Sequence, residues 1–481
     1  MKKVKLIPSI LMLVLCVGVL AVGIYAAKPS VNNITGSLTI VPPDALVEIS
    51  ASVGDTQIIE PQGVAYGKTF DISDALKLDQ RGATNIWEVE DAVLTISITN
   101  LSNKELGAYF YSGTGVKDGL ATADDILYAD TLGDKIDVAL SPYRHIGIAD
   151  ANATTDTITM TIGFNLKALT DDAETHEFNY TLNIEEYVPN YTDESTNVNT
   201  LEFAKISSTV NGQPRTEVPG SAFVGSDKLR MVCVPSTIIE LDCVAFNNSN
   251  IECLDYVGIQ SIKLGGRPGS QNFDQLERVY CDTLNKHLQI SNNSNQCVLG
   301  EETDLYVGGA KLVKLTNEDI SGNESYIIFA GCSSLKYVNI NLSSSVENAY
   351  FSRCNSLISL TVSGVDDNLW FSGSSLKYVD ISGYSVGEMA FSSCPAVTHI
   401  KLNTEWLSGL DFSEFSPVNL QQLELGTNIS DVEDIAKGAF SLLVSEKITY
   451  LGTVSEFNAI SNISRFTSYV GQIECSDGII E

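Results

Sequence analysis

The sequence predicts a mainly β chain in two parts: an N-terminal antiparallel β-sandwich followed by a repeat solenoid. Three observations predict it. Period-two alternation of apolar and polar residues recurs up to about residue 190. No amphipathic helix of ordinary length stands out in that stretch. Beyond it, one spaced pattern of Phe, small, Leu and apolar residues returns every 20–24 positions.

The strands come first. Leu94, Ile96 and Ile98 alternate with Thr95, Ser97 and Thr99. Ile158, Met160, Ile162, Phe164 and Leu166 repeat the alternation, as do Phe178, Tyr180, Leu182 and Ile184. Leu38/Ile40 and Val47/Ile49 are shorter versions. Such runs, bounded by Gly, Asn, Asp and Pro, mark half-buried antiparallel strands, and several together suggest a sandwich.

The repeat is then read off the spacing. A Phe is followed by Cys or Ser at +3, Leu at +6, and apolar residues at +9 and +11. Phe329, Cys332, Leu335, Val338 and Ile340 fit it, as do Phe351, Cys354, Leu357, Leu360 and Val362, and Phe391, Cys394, Val397, Ile400 and Leu402. Phe223, Ser226, Leu229, Val232 and Val234 form an early copy. Two copies are one residue shorter after +3: Phe246, Ser249, Ile251, Leu254, Tyr256, and Phe371, Ser374, Leu376, Val379, Ile381. Phe415, Leu420, Leu423 and Leu425 form a weaker one. The steps from Phe329 through Phe351, Phe371 and Phe391 to Phe415 are 22, 20, 20 and 24 residues. Periods of about 20–29 residues around Leu-x-x-Leu-x-Leu are the leucine-rich-repeat signature. Val338 and Ile340 then share the inward face of a short strand, and neighbouring repeats bury one another.

That geometry fixes an outward face. If the apolar pairs point in, one outward column is Tyr337, Ser359, Tyr378, His399 and Gln422, and the adjacent one is Asn339, Thr361, Asp380, Lys401 and Glu424. Tyr and His in one column offer rigid, amphipathic contact area. These ten residues are the candidate binding face.

Composition bounds the function. The chain of 481 residues has 44% hydrophobic and 19% charged residues, so it can build sizeable cores. Sixty acids against 29 Lys and Arg give a net charge of −31, which excludes phosphate-driven nucleic-acid binding and argues against docking on anionic lipid. HExxH, GxSxG, GxxxxGK[ST] and GxGxxG do not occur, and the four His are scattered, so no catalytic residue, cofactor or metal is expected. Asp124, Asp125, Asp130 and Asp134 are rich in oxygen, yet their spacing does not fit a calcium loop; a solvated acidic loop is the expectation. Cys394 should point inward and His399 outward, which separates that pair.

Lys2, Lys3 and Lys5 precede the apolar stretch Leu6 to Val22 and a small-residue end, Gly23-Ile24-Tyr25-Ala26-Ala27. This reads as a secretory signal cut after Ala26, or as an uncleaved anchor, since residues 6–27 could nearly span a bilayer. Membrane attachment would run through those residues alone. Nine Cys follow Cys16, and an odd number leaves at least one thiol outside any internal disulfide. Their recurrence at +3 favours buried thiols.

The expected organisation is therefore 1–27 signal or anchor, 28–188 sandwich, 189–214 linker, 215–460 solenoid and 461–481 capping segment. The linker rests on the polar, aperiodic stretch from Pro189 to Thr200. Few contacts are expected to cross it.

Two resemblances add to this reading. Phe-Ala-Gly-Cys-Ser-Ser-Leu-Lys-Tyr-Val-Asn-Ile at 329–340 resembles the core motif of BspA-type leucine-rich repeats. Residues 303–309 look like that family's interruption between arrays. Residues 448–453 and 457–460 look like its C-terminal cap, with Phe457 where Trp is usual, and residues 475–478 like its closing strand. The likeness covers roughly 215–481 and departs over 257–300. It implies a cell-surface protein that adheres to a protein or glycan. The signal and the Ile-Thr-Gly-x-Leu-Thr-Ile strand at 34–40 resemble secreted proteins of the TasA/camelysin kind. That resemblance implies the alternative role, a matrix component that self-assembles through its sandwich.

Overall fold

The computed structural model describes residues 30–42, 47–65, 67–73, 76–112, 122–148, 157–170, 173–256, 259, 261–263, 275–294, 299, 302–320, 322–366, 369–385, 393–407, 420–432, 447–467 and 472–480. The N-terminal segment read as a signal or anchor, together with Phe391 and Phe415, lies outside the described residues. Among the described residues no helix is long and apolar enough to cross a membrane.

The alternating runs form two sheets. One sheet orders the strands Arg144–Ile146, Leu106–Ser112, Thr175–Glu186, Val31–Val41 and Lys68–Asp71, with Leu76–Asp79 also on Val31–Val41. The other orders Thr56–Gly63, Val47–Val53, Ala92–Asn100, Thr157–Leu166, Ile136–Leu140 and Ala129–Leu132. Their inward residues make one core, in which Ile34, Leu38, Leu94, Ile96, Ile162 and Leu182 are fully buried. Phe164 and Phe178 meet across it with ring centroids 5.3 Å apart. One pair departs from the antiparallel expectation: Val31–Val41 runs parallel to Thr175–Glu186, from Asn33 opposite Thr175 to Val41 opposite Asn183.

The repeats stack as short parallel strands. Phe203–Lys205, Met231–Cys233, Cys253–Asp255, Arg278–Cys281 and Asp304–Val307 are neighbours in one sheet. The hairpin Asp304–Val307/Ala310–Lys311 ends it, where the sequence resembles an interruption. A second sheet continues through Lys314–Thr316, Tyr337–Asn341, Ser359–Asp366, Tyr378–Ser385, His399–Leu407, Gln422–Leu425 and Lys447–Tyr450. It closes on the hairpin Ile473–Cys475/Gly478–Ile480. Helix Val454–Ala459, opened by a Thr453/Glu456 capping box, seats Phe457 on Tyr450 with centroids 5.2 Å apart.

The inward register follows the spacing. Phe223, Phe246, Phe329, Phe351, Cys332, Cys354 and Cys394 are buried, and the three Cys are thiols rather than disulfides. Phe223 stacks on Phe246 at 5.6 Å, and Phe329 on Phe351 at 5.9 Å. Within 257–300, where the spacing fails, helix Leu284–Ser294 fills the turn. His287 takes the Phe position there, 5.0 Å from the Phe329 ring, with Nε2 2.8 Å from the Ile328 carbonyl. One position departs from the register. Ser374 is exposed, and Gly373 occupies the buried site, where a Cβ would come within 2.4 Å of the Cys354 carbonyl. The shortened repeat therefore loses its residue before the small position, not after it.

The expected linker is not one. Tyr191 is fully buried and stacks 4.7 Å from Phe223, and Phe203–Lys205 pairs in parallel with Met231–Cys233. Residues 189–214 thus carry the first turn of the solenoid. Their polar composition reflects the exposed loops around a few inward residues: Tyr191, Ala204 and Ile206.

Many contacts cross between the two parts, contrary to expectation. Tyr109, Tyr111, Tyr143 and Tyr187 of the sandwich share a buried cluster with Phe203, Met231 and Cys233 of the repeats. Ala139 does the same with Cys253, Tyr280 and Tyr306. Gly163 lies against Gly309, where a Cβ on Gly163 would fall 1.9 Å from the Gly309 carbonyl oxygen. Only glycine allows that approach, and Gly309 also has φ +89.

Candidate binding face

Strand pairing puts the predicted columns in register. Tyr337 lies opposite Ser359, Ser359 opposite Tyr378, Tyr378 opposite His399, and His399 opposite Gln422. Asn339, Thr361, Asp380, Lys401 and Glu424 align in the same way. Between them Val338, Leu360, Val379, Ile400 and Leu423 are buried. Side chains alternate across a strand, so both columns leave the core together.

Tyr378 is 48% exposed and stacks on His399 with centroids 5.1 Å apart. Thr398 Oγ1 lies 2.9 Å from His399 Nδ1 and fixes the ring. Lys401 Nζ sits 3.3 Å from Asp380 and 3.8 Å from Glu424. That ladder is partly exposed, so it orients the side chains more than it stabilises the fold. Ser359, Thr361, Tyr378, Asp380, His399 and Gln422 help line a shallow depression of about 210 Å³.

Tyr337 differs from the rest of its column. Trp87 of the sandwich stacks on it at 4.1 Å, with an interplanar angle of 27°. Its hydroxyl loses water there, which pushes it up to about 12. Tyr337 therefore marks the edge of the docked sandwich.

On the far side of that edge the outward face of the preceding sheet is covered. Arg144 Nε donates to Asp255 at 2.8 Å, and Arg144 Nη1 sits 3.1 Å from Asp282. Lys205 Nζ donates to Glu185 at 2.6 Å. Tyr143 donates to the same Glu185 oxygen at 2.9 Å. Tyr128 donates to Glu252 at 3.0 Å, and its carbonyl accepts from Tyr280 at 2.9 Å. Burial pushes the Cys233 thiol up to about 12 and the Cys253 thiol higher still.

Three of the four loop acids are engaged: Asp124 pairs with Arg230 at 2.9 Å, Asp125 accepts from the Thr122 backbone and hydroxyl, and Asp130 accepts from Tyr180 at 2.8 Å. Among the described residues no group of His, Cys, Asp and Glu is placed to hold a metal. Cys394 is buried and His399 is on the outward face, so that pair is not brought together. Trp87, the neighbour of Tyr337, is isolated in a polar turn and carries no periodic signal in the sequence.

Short parallel strands with Phe, Cys and Leu inside define a leucine-rich-repeat solenoid, here with a β-sandwich seated on part of one face. The chain matches the BspA type leucine rich repeat region in six copies over residues 170–265, 314–404 and 367–468, just over half its length. It belongs to that family, whose members are typically bacterial surface proteins without catalytic activity. No curated protein matches the chain.

Proposed function

We propose that the protein is exported, is displayed at the bacterial cell surface and grips a protein or glycan partner by adhesion on the open half of its outward sheet face, without catalysis. The observation that carries this reading is the uncovered, registered pair of columns from Ser359 to Glu424, with Tyr378 and His399 as the aromatic anchor. Amphipathic rings flanked by satisfied polar groups favour recognition over inert solvation.

The alternative, a matrix component assembling through the sandwich, has weaker support. The sheet edge Thr56–Gly63 carries Glu60 and Pro61, and Lys68–Asp71 is short and charged. Such edges resist pairing with further strands. The edge strand Arg144–Ile146 is buried.

The test is capture of bacterial and host surface components on the full chain, compared with the double variant Tyr378→Ala, His399→Ala. A captured partner should lose at least roughly ten-fold in affinity, as expected for an anchor worth more than about 1.4 kcal/mol. Unchanged affinity with an intact fold would move the site off this face.

A further inference from the structure

Where the sandwich meets the repeats, the two parts enclose a cleft of about 640 Å³. That volume falls within the ~300–1,000 Å³ of ordinary small-molecule sites. Trp87, Asp91 and Asn165 line it from the sandwich, and Lys314, Ser333 and Lys336 from the repeats.

Its charges do not cancel. Lys167 is held 2.7 Å from Asp137, and Lys311 2.5 Å from Asp304, so these four neutralise one another. Asp91 is the remaining acid. The Asn165 amide nitrogen, turned to donate, lies 2.6 and 3.0 Å from its two carboxylate oxygens. Loss of water in the cleft pushes the Asp91 carboxyl up to about 7, and the Lys314 charge opposes that rise. Lys336 has no acidic partner within ion-pair distance among the described residues and is a surplus cation. In a chain of net charge −31, most of the surface repels anions, so a cationic cleft stands apart from its surroundings.

The other lining groups narrow the ligand class. Trp87 is braced by Tyr337, which gives a fixed aromatic edge to the cleft. Ser333 Oγ is oriented by its 2.8 Å bond to Asp304. The Asn165 nitrogen is spent on Asp91, so the pair offers hydroxyl acceptors, the carboxylate oxygens and the amide oxygen. A bare anion would use the lysines and leave the ring idle. A neutral sugar would use the ring and hydroxyl partners and leave the lysines uncompensated. A sugar with a carboxylate uses all three.

We propose that this cleft is a binding site for an acidic saccharide, with its carboxylate on Lys314 and Lys336, its hydroxyls on Asp91 and Asn165, and its apolar ring face against Trp87. The site is separate from the open sheet face, so its fate does not decide that reading.

The test is calorimetric titration of the full chain with trigalacturonate, with neutral maltotriose and with acetate, at one ionic strength. Trigalacturonate should bind at least roughly ten-fold more tightly than either control, because only it can use the lysines and the ring together. Lys336→Met and Lys314→Met should each weaken it by a similar factor. Trp87→Phe, which keeps the packing on Tyr337, should weaken it less. Melting temperatures of the variants confirm that they fold. Equal binding of maltotriose, displacement by equimolar acetate, insensitivity to both lysine substitutions, or no binding of trigalacturonate at millimolar concentration would each overturn the assignment.

Discussion

The outward side of this solenoid, carried by two successive sheets, has two fates. From Phe203 to Tyr306 its outward residues include Phe203, Met231, Cys233, Cys253, Tyr280 and Tyr306, all buried beneath the sandwich. From Ser359 to Glu424 they are Ser359, Thr361, Tyr378, Asp380, His399, Lys401, Gln422 and Glu424, and none is buried. In both halves short parallel strands alternate an inward apolar residue with outward neighbours. What separates the halves is the outward chemistry, which changes at Tyr337, where Trp87 ends the covered zone. An outward column that turns apolar inside a regular repeat is therefore a sign of a docked neighbour. The apolar surface hidden there stabilises the docking in proportion to its area.

The shared inward column gives the largest expected effect and no contrast between halves. Phe223→Ala and Phe351→Ala should each cost about 3–5 kcal/mol in denaturant unfolding. A much smaller loss at Phe223 would mean that the covered half is not built like the open one. The outward charges should then separate the halves. Arg144→Ala breaks the buried Arg144–Asp255 ion pair and should cost about 3–5 kcal/mol, whereas Lys401→Ala on the open ladder should cost less than about 1 kcal/mol. Equal losses would show that the covered side is wet.

Acid sharpens the comparison further. His287 lies in the covered half, and burial lowers its pKa from 6.5 to about 4. The unfolded chain binds that proton first as pH falls. Stability is thus intact above about 6.5, declines between 6.5 and 4, and loses up to about 3 kcal/mol. His287→Leu should flatten that segment of the pH profile. A profile unchanged by the substitution would place the acid-sensitive group elsewhere.

Much of this was legible in the residues. Phe329, Cys332, Leu335, Val338 and Ile340 declare the period, and the period fixes which neighbours face outward. The helix Leu284–Ser294 was not legible, because its composition is polar and His287 stands where Phe is expected. The first turn was hidden in the same way, with Tyr191 isolated among Asn, Thr, Asp and Glu and the strand Phe203–Lys205 too short to show a period. Gly373 stayed hidden because a missing side chain leaves no pattern. The docking left a trace in the apolar outward residues, but that trace names no partner surface. The Gly163–Gly309 contact and the cleft beside it arise only when distant segments meet.

Thiol labelling reads the covered and open halves directly, since both present the same face of one kind of sheet. In the variant Ser359→Cys, iodoacetamide followed by mass mapping should modify position 359 rapidly in the native protein. Cys233 and Cys253, outward yet under the sandwich and held as thiols by burial, should stay unmodified until the protein unfolds. Modification of Cys233 and Cys253 at a rate near that of position 359, with the fold intact, would show that the sandwich does not cover that half of the face.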